Sequence, residues 1–162
     1  MIVVSDASPL ISLGAVGRIE LLRQLFGEVS IPLAVLEEIT AAGLERPGAA
    51  EVQAADWIVS RALGSDFLPR ALEGELDRGE AEAIALAVEL RADLVLIDER
   101  RGRRVASRFD LKVLGVLGIL LDAKRKGLLT QVEPVLEDLH TRAGFRVSPA
   151  LYRRALEEAG EA

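Results

Sequence analysis

The chain has 162 residues, half of them apolar and 28% charged, the profile of one folded domain that buries a core without disulfides. It contains no cysteine and a single histidine, His140, which excludes thiolate nucleophiles, zinc-thiolate and iron-sulfur sites, paired-histidine acid/base catalysis and histidine-rich metal centres. The balance of 20 basic against 26 acidic residues, a net of −6, excludes global attraction to nucleic acid, so any such contact needs a local basic patch.

No apolar run reaches the roughly 18 residues of a membrane span. The start, Met1-Ile-Val-Val-Ser-Asp6, lacks the basic segment of a signal peptide, which predicts a cytoplasmic protein with no membrane partner.

The first element is a buried strand at Ile2 to Ser5, β-branched and closed by Asp6, with Ser8-Pro9 opening a helix in which Ser8 is the cap. Apolar spacing then predicts two short helices broken at Gly17. Glu28 to Ile31 follows as a strand stopped by Pro32, and Val35, Leu36, Ile39 and Ala42 carry a helix to Gly43. Pro47-Gly48 marks a turn before a helical turn at Ala49 to Ala55, and Trp57 to Val59 is the third strand. A long polar-apolar stretch from Asp66 leads to the strongest helix, Gly79 to Leu90. Asp93 to Ile97 is a fourth strand closed by Asp98, and Leu111 to Leu114 a fifth. Helices at Leu117 to Lys126, Gln131 to Ala143 and Pro149 to Ala159 complete the chain. Strands alternating with helices predict an α/β fold with a parallel sheet of about five strands.

Asp6 and Asp98 each follow an apolar strand directly. In an open parallel sheet all carboxyl ends of strands share one edge, where ligands bind, so both carboxylates face one crevice. A third acid is singled out by helical geometry. At about 100° per residue, Ile84, Ala87 and Arg91 lie within roughly 40° of Glu80, whereas Glu82 and Glu89 fall opposite and should face water. Glu80 thus heads an apolar stripe in a first helical turn, where the macrodipole favours an anion; Arg91 or Arg104 are its possible partners. After Pro32, periodicity leaves Glu37 and Glu38 equally eligible as a fourth.

These residues carry a resemblance. Asp6-Ala-Ser-Pro-Leu-Ile-Ser-Leu13, then Ile31-Pro-x-x-Val-x-x-Glu38, then Gly79-Glu-Ala-Glu-Ala-Ile-Ala-Leu-Ala87, then Leu96-Ile-Asp-Glu-Arg-x-Gly-Arg103 resemble the PIN-domain family. The likeness is greatest to small prokaryotic PIN-like proteins related to VapC-type toxin ribonucleases. It runs from residue 1 to about 128, and Ala143-Gly-Phe-Arg-Val-Ser148 is similar to the same subgroup. The resemblance implies a three-layer α/β/α domain spanning 1–162, with a core at 1–128 and a helical C-terminal extension at 129–162.

Residue by residue, it implies catalytic acids at Asp6, Glu38, Glu80 and Asp98. The spacing of 18 residues from Glu80 to Asp98 matches the family, whereas Glu82 gives 16. Many PIN nucleases carry a further aspartate three residues after the position of Asp98. Arg101 stands there, and Glu99 is the substitute at hand. The expected metal ligands are therefore Asp6, Glu80, Asp98 and Glu99, and hard carboxylate oxygens without His or Cys suit Mg²⁺ or Mn²⁺.

The resemblance implies metal-dependent hydrolysis of RNA, in the setting of a toxin with an antitoxin protein as partner. The alternative is a catalytically weakened PIN-fold module that binds nucleic acid or protein. Arg100, Arg101, Arg103, Arg104 and Arg108 form the densest basic run, and Arg101 and Arg104 are the expected RNA-binding residues. A surplus of apolar helix residues, among them Leu117, Leu121, Leu128, Leu136 and Leu139, predicts a homodimer.

Overall fold

The computed structural model describes residues 1–41 and 43–162; Ala42, expected near the end of the third helical stretch, lies outside the described residues. Strands β1 (Val3–Ser5), β2 (Val29–Pro32), β3 (Ile58–Arg61), β4 (Leu94–Leu96) and β5 (Val113–Leu114) form one sheet in the order β3-β2-β1-β4-β5. Every pairing is parallel. The helices among the described residues are α1 (Ala7–Ala15), α2 (Glu20–Phe26), α3 (Leu33–Ala41), α4 (Ala49–Ala54), α5 (Phe67–Ala71), α6 (Arg78–Leu90), α7 (Arg100–Arg108), α8 (Val116–Arg125), α9 (Glu133–Ala143) and α10 (Pro149–Glu158).

Side-chain alternation along the strands sorts the two faces. Val3 and Leu96 enter a core shared with α1, α2, α8 and α9, while Val4, Val95 and Ile97 enter a second core with α6 and α7. Both faces of the sheet are therefore covered, as an all-parallel sheet requires, and the expected three-layer α/β/α architecture is the one found.

The strand order reverses between β1 and β4, which pair with Ser5 opposite Leu96. Such a reversal opens a crevice beyond the carboxyl ends of the strands. Asp6 and Asp98 leave the sheet at this point, and the Asp6 amide donates to the Leu96 carbonyl at 3.0 Å.

Three local expectations are corrected. The first helix starts at Ala7 with Asp6 extended at its N-cap, φ −77° and ψ 169°, so Ser8 is not the cap but lies in the first turn, where Pro9 is expected and found. The third strand runs Ile58–Arg61, not Trp57 to Val59, because it pairs with β2 out to Pro32 opposite Arg61. A short helix, α5, forms within the stretch after Asp66 that periodicity left unassigned.

The C-terminal helices cap the α1 and α8 layer. Leu120, Leu129, Val132, Val135, Leu136 and Leu139 are buried within the chain, and Leu117, Leu121 and Leu128 pack against the same core. The apolar surplus that prompted the homodimer expectation is thus absorbed by intrachain packing. Glu161 ties down the end: its carboxylate accepts from Lys124 Nζ at 2.7 Å, the Val132 amide at 2.7 Å and the Glu133 amide at 3.0 Å, closing the N-terminus of α9.

Candidate active site

Three carboxylates meet over the bare α-carbon of Gly79, at the N-terminus of α6. A methyl group there would stand 3.0 Å from Glu38 Oε1, 3.4 Å from Asp6 Oδ1 and 3.6 Å from Asp77 Oδ1. Only glycine leaves this space open for acids from β1, α3 and the α6 cap. Glu38 is thereby separated from Glu37, whose Oε2 accepts from Arg78 Nη1 at 2.8 Å on the surface.

Glu80 sits one turn into α6 and is 6% exposed. Asp77 and Glu80 form a capping box: the Glu80 amide donates to Asp77 Oδ1 at 2.8 Å, and the Asp77 amide to Glu80 Oε1 at 3.3 Å. The box leaves Glu80 Oε2 buried without a hydrogen-bond partner among the described residues. That oxygen presses on α7, 2.7 Å from where a side chain on Gly102 would begin, so α7 approaches only because residue 102 has none. Neither Arg91 nor Arg104 pairs with Glu80; the cap itself is its partner.

Glu82 corrects the helical-wheel reading. Instead of facing water, it accepts from the Ala34 amide at 3.1 Å and from Arg78 Nε at 3.1 Å. The helix α6 is packed between the sheet, α3 and α5 and is buried around most of its circumference, so a one-face assumption fails for it. Glu89 is exposed, as expected, and accepts from the Gly64 amide.

Asp98 ends β4. Its Oδ1 accepts from the Val116 amide at 2.8 Å and so starts α8, while Oδ2 is buried with no partner among the described residues. Glu99, at the N-cap of α7, adds its charge to the burial that raises the pKa of both Glu80 and Asp98.

Burial sets the electrostatics. It pushes Asp6 up to about 7, against the Ala7 amide, with the charges of Asp77, Glu38 and Glu80 adding to the rise. Burial likewise raises Glu80 to about 7, with Asp77 the next largest cause. Glu38 is raised by burial and by Asp77, with Arg46 opposing. Asp98 is raised by burial against the Val116 amide and Arg103. Asp6 and Glu80 are thus raised with acids alone as charged neighbours, whereas Arg46 and Arg103 offset part of the rise at Glu38 and Asp98.

The arginines divide between two clefts. One, of about 540 Å³, is lined by Asp77, Glu80, Glu99, Arg100, Arg101 and Arg104. Arg101 Nη1 donates to the Glu75 carbonyl at 3.1 Å, and Arg104 makes no hydrogen bond or ion pair among the described residues. The other, of about 620 Å³, opens at Asp98 and includes Arg103.

Of the sequence-chosen acids, Asp6, Glu38 and Glu80 converge at the head of α6. Asp98 stands on the same sheet edge beside Glu99 and Arg103. Asp77 was passed over, although Asp77-x-x-Glu80 has the spacing of a capping box. As they stand, no three of these acids among the described residues are grouped so as to hold a metal ion. The two partnerless buried oxygens and the all-oxygen donor set nevertheless suit the chemistry of a hard divalent cation.

Among curated proteins none matches the chain. A solved structure similar to it is a PilT N-terminus domain protein from the hyperthermophilic archaeon Sulfolobus solfataricus P2. The two are 20% identical with a TM-score of 0.58, over 76% of this chain and 93% of that one, a likeness of fold. Residues 2–161 match the PIN-domain family DUF3368. With acids gathered at the switch point of a five-stranded parallel sheet and a family match over nearly its whole length, the chain belongs to the PIN-domain family, a family built on a nuclease fold.

Proposed function

We propose that the protein is a divalent-metal-dependent ribonuclease that hydrolyses RNA phosphodiester bonds. The observation that carries this reading is the pair of buried carboxylate oxygens, Glu80 Oε2 and Asp98 Oδ2, left without partners among the described residues. Buried polar atoms are nearly always satisfied, and a buried anion needs a counter-charge. Asp6, Glu80, Asp98 and Glu99 would hold Mg²⁺ or Mn²⁺. The chemistry such an ion supplies when bound is polarisation of the scissile phosphate and activation of water.

The chain's own groups supply the rest. Glu38, close to Asp6 and with a raised pKa, is placed to accept a hydrogen bond from the attacking water and orient it. Arg101 and Arg104, on the rim of the cleft that contains Glu80, take backbone phosphates and counter the repulsion between an acidic site and a polyanion.

A second reading, a binding module without turnover, draws on Arg101. It occupies the position where related nucleases carry an acid, and it is turned to the Glu75 carbonyl. One assay separates the two: purified protein is incubated with end-labelled single-stranded RNA in Mg²⁺, Mn²⁺ or EDTA. The nuclease reading expects cleavage in either metal, none in EDTA and none from Asp6→Asn. Equal cleavage in EDTA, or RNA binding with no cleavage under any condition, contradicts it. If the chain acts as the toxin of a toxin-antitoxin pair, its expression alone arrests growth and that of Asp6→Asn does not.

A further inference from the structure

The 620 Å³ cleft at Asp98 is not accounted for by the acids. One wall is the segment joining α9 to α10, residues 143–147, and another is α8. Along that segment exposure alternates: Phe145 and Val147 are half-buried, whereas Gly144 and Arg146 are exposed. Phe145, which packs against the main core, and Val147 line the cleft together with Leu117 and Leu121 of α8. Arg146 and Arg103 line it as well, from the segment and from α7. Neither guanidinium forms an ion pair among the described residues.

Glu99 and Arg100 line this cleft and also the 540 Å³ cleft that holds Glu80, Arg101 and Arg104. The two therefore border each other at the head of α7. A chain crossing that ridge passes cations on both sides and the acids in the middle. Unpaired guanidiniums beside an apolar floor suit a ligand that alternates charge with flat apolar surface, which is the chemistry of single-stranded nucleic acid.

We propose that the cleft beside Asp98 is a nucleotide subsite, in which Arg103 and Arg146 take phosphates and Phe145, Leu117 and Leu121 receive a base on one side of the scissile bond. This rests on the ribonuclease reading for the position of that bond, but not for the binding itself. The C-terminal extension is then part of the substrate-binding surface as well as a cap on the core.

The test uses the full chain and short fluorescein-labelled single-stranded oligoribonucleotides. Affinity is measured in EDTA over a salt series, and cleavage positions are mapped in Mn²⁺. Arg146→Glu is compared with Arg18→Glu, an exposed charge reversal after α1, at the end of that helix away from Asp6. The expected result is an affinity loss of about tenfold for Arg146→Glu with a salt slope lower by about one, against little change for Arg18→Glu. Phe145→Leu, which keeps an apolar filler, is expected to change the relative cleavage at different bases while leaving the salt slope intact.

If the parent protein binds RNA but does not cleave it, the ribonuclease reading fails, while a selective loss in Arg146→Glu still supports the subsite. If the parent cleaves but Arg146→Glu matches Arg18→Glu in affinity, salt slope and cleavage positions, the subsite is overturned. A parent that neither binds nor cleaves overturns both.

Discussion

Carboxylates stand buried at helix N-termini in two places in this molecule, with opposite outcomes. At the head of α9, Glu161 has Lys124 and the amides of Val132 and Glu133 on its two oxygens; burial alone would raise its pKa, but these partners hold it below the usual glutamate range. At the head of α6, Glu80 has one oxygen in a capping box and the other with no partner among the described residues, and Asp6 has acids for neighbours; both are pushed up to about 7. The same helix-terminus physics operates at the heads of both helices. The difference lies in counter-charge: the C-terminal site carries its own, and the acidic site lacks it.

The largest effect that tests this contrast is chemical. Asp6→Asn removes a charge while keeping volume, and is expected to lower metal-dependent RNA cleavage by about 10³-fold. In EDTA the same variant is expected to melt a few degrees higher, because it relieves repulsion among the acids. A variant that is inactive and also destabilised in EDTA would show that Asp6 holds the fold more than the site.

Glu161→Ala should behave the other way. It strips partners from Lys124 and two amides, with an expected loss of about 2 kcal/mol in denaturant unfolding. A stability equal to wild type would mean that the C-terminal segment is not tied down by this carboxylate.

The pH dependence is smaller and has a sign. Asp6 and Glu80 bind protons more tightly folded than unfolded, so between their ordinary values of 3.8 and 4.5 and about 7 the folded chain carries the extra protons. Stability of the metal-free protein should therefore fall as pH rises through that window. The contribution of Glu161 runs oppositely and is lost as pH falls through its lowered folded pKa. Melting temperatures in EDTA across this range, for wild type and an Asp6→Asn/Glu80→Gln double variant, read the slope; the double variant should lose most of it. The smallest effect is expected at Arg78, whose surface bridges to Glu37 and Glu82 join α3 to α6. Arg78→Ala should shift the unfolding midpoint little, since bridges exposed to water are screened.

Much of the fold was legible because its signals are local. Short apolar runs closed by Asp6 and Asp98 mark strands that must be buried, and the topology of parallel sheets then places both acids on one edge. Glu80 was legible as well, since its angular position and its distance from Asp98 agree. What escaped was set by tertiary packing. Glu82 is turned inward because α3 offers its unpaired Ala34 amide, which no helical wheel of α6 contains. Asp77 was overlooked because the helix was read as beginning at Gly79, one residue late, leaving its cap outside. Periodicity left Glu37 and Glu38 equal; the resemblance chose Glu38, and the approach of α3 to Gly79 gives the physical reason that periodicity cannot supply.

The most direct test of the central claim, that the partnerless acids form a divalent-cation site, is calorimetric titration of Mn²⁺ into the protein near pH 7 in two buffers of different ionisation enthalpy. The account predicts binding accompanied by proton release, because Asp6 and Glu80 titrate near that pH and must ionise to ligate, and it predicts that Asp6→Asn weakens the binding and reduces the protons released. Absence of binding, or binding without proton release that Asp6→Asn leaves unchanged, would contradict it.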